Sequence, residues 1–209
     1  MGGIMKKFIS VILTVCIIFC SLAVFAGAKD EDVVNIYICA RSTASPLGHL
    51  WVYFENLTDE TVMVGDYALP AKQGVSVGTW GTKGKDGAGV YYNVEAYSAG
   101  HYGISGIISA KDSLTAEELE KVSREITDSD IWTPFFCNCM GFAFTVWDEC
   151  CRPALIPLVF PFIGRLEMLI FLGASRDLQM YSPNADQVYR QVKGKGIKPV
   201  SDGMLKKVL

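Results

Sequence analysis

The chain has 209 residues, half of them hydrophobic, and a net charge of −3 from 19 basic and 22 acidic groups. That length suits one domain with a core large enough to hold itself together. The balanced charge, without clustered Lys and Arg, excludes a nucleic-acid footprint.

The first element in chain order is an export signal. Lys6 and Lys7 precede an apolar run over residues 8–25, and Ala26-Gly27-Ala28 supplies a small-x-small cleavage site. An uncleaved N-terminal anchor is the competing reading of the same apolar length. Phe19 before Cys20 argues against lipidation, because a small residue would be expected there. Removal of 28 of the 209 residues leaves 181, and the loss of two lysines takes the charge from −3 to about −5. The expected location is outside the cytoplasm.

Residues 33–40 are apolar and β-branched and predict a first strand, followed by a Ser/Thr/Pro/Gly loop. A second strand is predicted over 50–54. Leu50, Val52 and Phe54 share one face, and His49, Trp51, Tyr53 and Glu55 the other. Further strands are predicted over 61–64, 75–80, 90–97 and 102–108, with Gly/Asp-rich punctuation most marked over 81–89. The first half therefore reads as mostly antiparallel sheet.

The period changes at Leu114. Thr115 with Glu118 makes a capping box, Leu114 with Leu119 a hydrophobic staple, and Leu119, Val122 and Ile126 one apolar stripe. Together they predict a helix over 116–127. A second helix begins near Cys139, with Asn138 as N-cap and Phe142, Ala143 and Val146 on the buried stripe. This places the Cys139 thiol in the first turn, on the side packed against the sheet. Beyond Arg152, Pro153, Pro157 and Pro161 interrupt an apolar stretch ending near Leu172, too short to span a bilayer. Packing as a cap is expected, with weak membrane contact through 155–172 as the alternative. A last helix is predicted over 185–192, and the Lys-rich end is expected to be loose.

A reactive thiol must ionise near neutral pH, although a free cysteine has a pKa of about 8.5. A helix N-terminus and a neighbouring imidazolium both lower it. Cys139 has the first by position. If the helix continued to Cys150 and Cys151, they would lie about 16 Å away, beyond disulfide reach. The chain offers two imidazoles. His49 opens a strand, whereas His101 reads as part of a turn, so His49 suits a positioned base better. Five cysteines remain after the signal: Cys39, Cys137, Cys139, Cys150 and Cys151. An odd number leaves at least one thiol outside intramolecular disulfides, and the pairing of the others is open. With no C-x-x-C pair and two histidines, no metal or other cofactor is expected.

Gly48-His49 heading a strand, Val94-Glu95-Ala96 further on, and Asn138-Cys139 with Phe142-Ala143 on a helix resemble a known pattern. The chain is similar to the circularly permuted branch of the NlpC-type, papain-like hydrolases, over roughly residues 35–150. That branch includes the YiiX-like proteins and, more distantly, lecithin:retinol acyltransferase-type enzymes. Permutation puts the histidine before the cysteine, as here. The resemblance implies an α+β fold, an antiparallel sheet packed against helices. It implies Cys139 as nucleophile, His49 as base and Glu95 as the group orienting the imidazole; Asn93 and Glu55 are rivals for the third place. The His49–Glu95 spacing is long for the family and implies an inserted hairpin over 57–89.

The expected organisation is a signal peptide over 1–28, a catalytic domain over 29–152, and an apolar cap with a helical extension over 153–209. The expected activity is that of a secreted cysteine peptidase or amidase acting on a peptide or cell-wall stem peptide. The alternatives are a lipid-acting acyltransferase or thioesterase of the same fold, and a non-catalytic secreted binding module in which Cys139 and His49 are packing residues, with a Cys39–Cys139 disulfide as a further option.

Overall fold

The computed structural model describes residues 31–41, 48–81, 88–103, 105–129, 138–151, 153–156, 161–191, 194–201 and 203–205. The signal peptide read over 1–28, Cys137 and most of the 81–89 loop lie outside the described residues.

Alternating apolar residues make the central strands. β1 (Asp32–Arg41) pairs antiparallel with β2 (His49–Asn56) from Val34–Asn56 to Arg41–His49. β5 (Gly74–Trp80) and then β6 (Gly89–Tyr92) extend the sheet beyond β2, and β7 (Ile107–Thr115) flanks β1. The tail adds β8 (Tyr189–Gln191) against β6 and β9 (Ile197–Pro199) against β8. The seven-stranded order is β7-β1-β2-β5-β6-β8-β9, and every pairing is antiparallel. β3 (Val62–Val64) and β4 (Tyr67–Leu69) form a separate hairpin. Among the described residues of 57–89, the hairpin expected there is limited to β3 and β4, because β5 and β6 belong to the main sheet.

Four helices complete the described fold: α1 (Val94–Tyr102), α2 (Ala116–Asp128), α3 (Cys139–Asp148) and α4 (Pro161–Phe171). The expected α+β class, an antiparallel sheet against helices, is the one observed. Val34, Ile36, Leu50, Val52, Phe54, Val75 and Val77 meet Val122, Ile126, Phe142, Ala143, Val146 and Met168 in one core. Each fully buried side chain of this size contributes about 1.5–3 kcal/mol relative to exposure. Gly164 seats α4 closely: a Cβ there would lie 2.9 Å from Met140 Sδ and 3.2 Å from Leu50 Cδ2. Cys39, Trp51 and Tyr53 form a second cluster on the other face, closed by Leu178 and Met180.

Three predicted elements differ. The strand read over 90–97 stops at Tyr92, because Asn93 takes a left-handed conformation (φ 68°) and turns the chain into α1. Glu95 therefore stands on a helix. The strand read over 102–108 is instead β7, since Tyr102 and His101 close α1, and Gly103 and Gly106 turn the chain with positive φ. The helix read over 185–192 does not form among the described residues 185–191: a turn leads into β8, whose pairing with β6 overrides the weak helical pattern. β9 precedes the Lys-rich end expected to be loose, whose residues 206–209 lie outside the described residues.

The capping box forms as expected, with Thr115 Oγ1 accepting Glu118 N–H at 3.4 Å and Glu118 Oε2 accepting Thr115 N–H at 2.9 Å. Replacing Thr115 by Ala should lower stability by about 1 kcal/mol. Urea titration should show the midpoint falling with an unchanged slope; an unmoved midpoint would deny the cap its role.

Candidate active site

Asn138 starts α3. Its Oδ1 accepts the N–H groups of Met140 and Gly141, both at 3.0 Å, so Cys139 is the first helical residue. A thiolate there meets the positive end of the helix dipole. β2 approaches the same point: the positive φ of Gly48 turns the chain into the strand, and its first residue is His49. The backbone N–H groups of Leu50 and Met140, together with the His49 ring, hydrogen-bond the Cys139 sulfur. Phe142, Ala143 and Val146 are buried as the stripe required.

His49 is held from its other side. Nε2 lies 2.9 Å from Glu95 Oε1, leaving Nδ1 for Cys139. The ring stacks beside Trp51 at 5.6 Å and meets Trp80 at 4.2 Å. Glu95 is buried, and both its oxygens accept further donors: Trp80 Nε1 donates to Oε1 at 2.8 Å and Ser76 Oγ to Oε2 at 2.9 Å. Gly78 makes the approach possible, because a Cβ there would stand 2.5 Å from Oε1. A glycine inside a strand marks such close approach.

The electrostatics follow from this packing. Burial opposes a charge on Cys139, but the His49 charge and hydrogen bond and the two backbone N–H groups outweigh it, so the thiol falls below its ordinary value. Burial likewise opposes the His49 imidazolium, yet the Cys139 thiolate and then Glu95 push it up to about 9. The thiolate and the imidazolium thus each favour the charged form of the other. Cys39 and Cys151 move the other way, raised by burial and then by nearby carboxylates.

All three expected site residues come together. The rivals sit elsewhere. Asn93 donates to the Asn184 and Gln187 carbonyls, and Glu55 accepts from Asn35 and Tyr37. His101, expected in a turn, is in the last turn of α1, stacked on Tyr97 and 3.5 Å from Asp186. Cys39 and Cys139 are both thiols, so the disulfide between them considered from the sequence is not formed. Ser76, Gly78 and Trp80 escaped sequence reasoning; the small residues Gly74, Ser76 and Gly78 alternating with valines in β5 were the available signal. Among the described residues, no group of three His, Cys, Asp or Glu side chains is arranged to hold a metal ion. No family model, curated protein or solved structure gives a significant match to the chain.

The alkylation rate of Cys139 by iodoacetamide should rise with pH in two steps. The first follows thiol ionisation below its ordinary range, and the second follows loss of the His49 proton near 9. Glu95→Gln should move the upper step to lower pH, because a hydrogen bond and a charge that favour the imidazolium are weakened. Peptide mass spectrometry across pH 4–11 reads both steps; one step near 8.5 in the native protein would refute the ion pair.

Proposed function

We propose that this chain is an exported cysteine hydrolase on the circularly permuted papain-like plan, cleaving an amide in a peptide or cell-wall stem peptide. The observation that carries it is an imidazole held between a buried carboxylate and a thiol at a helix N-terminus. The apolar run and cleavage triplet of residues 1–28 support export.

Cys139 is the nucleophile. Its thiolate attacks the scissile carbonyl, forming an S–C bond and placing negative charge on the carbonyl oxygen. The Asn138 cap engages the N–H groups of Met140 and Gly141, leaving that of Cys139 outside the cap as the proposed donor to the developing oxyanion. The tetrahedral intermediate collapses as His49 gives its Nδ1 proton to the departing amine. Water then enters, His49 takes its proton, and hydroxide addition releases the acid and regenerates the thiolate. Glu95 fixes the ring tautomer and stabilises the imidazolium throughout.

Cys139→Ala should abolish hydrolysis of peptide and stem-peptide amides and iodoacetamide labelling at pH 6. Glu95→Gln should lower kcat by roughly 10²- to 10⁴-fold. Labelling that continues at the native rate in Cys139→Ala would remove Cys139 as the activated thiol.

A second reading has one observation in its favour. Ile156, Phe162, Leu166, Ile170 and Phe171 are all more than half exposed on or beside α4, which packs on Met140 and Leu50 next to the site. That apolar surface suits a lipid-acting acyltransferase or thioesterase. No helix among the described residues is long and apolar enough to cross a membrane. Phosphatidylcholine vesicles discriminate: co-sedimentation that Leu166→Asp with Ile170→Asp abolishes, with ester turnover exceeding amide turnover, favours the lipid reading. Amide turnover without vesicle binding favours the peptidase.

A further inference from the structure

Arg41 closes β1 directly opposite His49, the last pair of the β1–β2 ladder. Directly paired residues project to the same face, with Cβ atoms roughly 4.5–5.5 Å apart. The guanidinium therefore belongs to the surroundings of the imidazole. It is half-buried, and its Nε is shielded from solvent without a hydrogen-bond partner. No carboxylate among the described residues forms an ion pair with it. Glu95 and Glu55, which face the same side of the sheet, are occupied by other donors.

A second unmet group lies diagonally across the same ladder. Trp51 pairs with Cys39, is 1% exposed, and its Nε1 also lacks an acceptor. Buried polar groups in folded proteins are almost always hydrogen-bonded, so each exception calls for a reason. Both exceptions here are N–H donors, and one carries a full positive charge. What is missing beside His49 is an acceptor with negative charge.

Resting on the cysteine-hydrolase reading, we propose that the site takes an acyl donor bearing a carboxylate close to its scissile carbonyl, and that Arg41 binds that carboxylate. The planar fork of a guanidinium matches a carboxylate in geometry as well as charge. On β1 the residue stands on the side of His49 opposite β5, and so leaves the Glu95 contact undisturbed. Arg41 is then the residue that selects acidic over neutral substrates.

The test uses two small electrophiles that differ in one charge. Iodoacetate and iodoacetamide both alkylate Cys139 as the sulfur displaces iodide, forming an S–C bond. The measured quantity is the ratio of their rates at pH 6.5 in the full-length protein, read by intact-mass spectrometry. Arg41→Gln should lower the iodoacetate-to-iodoacetamide ratio roughly tenfold. Arg41→Lys, which keeps the charge, should restore most of the preference, and added salt should erode it in the native protein. A ratio that Arg41→Gln leaves unchanged, including one in which both rates fall together, overturns the proposal. Fast alkylation that persists in Cys139→Ala overturns the hydrolase reading itself and the proposal with it, so the two failures are distinguishable.

Discussion

The hydrogen bond between Glu95 and His49 is the contact on which the rest of the site depends. A carboxylate that is 2% exposed is costly unless donors replace its water. Here the imidazole, the Trp80 indole and the Ser76 hydroxyl all do so. Each donor comes from β2 or β5, and the carboxylate comes from α1. Satisfying one buried charge therefore clamps three elements together. The same bond turns the other ring nitrogen toward the sulfur, so the ionisation of Cys139 is decided several residues away from it.

The clamp has backbone requirements. Gly78 leaves room for the carboxylate, and the left-handed Asn93 sends the chain off the sheet so that Glu95 returns over it. Neither residue touches the sulfur. Both shape the site through geometry, which makes them positioning residues in the strict sense.

The starts of α2 and α3 were readable from the sequence because their chemistry is local. Thr115 with Glu118, and Asn138 before Cys139, bond groups within three residues, so type and spacing suffice. The strand bearing His49 was readable from alternation. Glu95 was identified by resemblance yet expected on a strand, because alternation over 90–97 masks the break that Asn93 introduces. β8 and β9 were missed for a different reason. β8 is ordered by pairing with β6, about a hundred residues earlier in the chain, and β9 by pairing in turn with β8. Ser76, Gly78 and Trp80 became meaningful only once Glu95 lay over them.

Imidazole and sulfur sit at positions 49 and 139, on opposite flanks of the α1–β7–α2 segment. A chain still being synthesised, or threaded unfolded through a pore, carries neither the ring nor the helix end beside its thiol. In that condition Cys139 is as sluggish as any solvent-borne cysteine. The lowered ionisation of this thiol arises only on tertiary assembly, so the chain carries an ordinary cysteine until folding is complete.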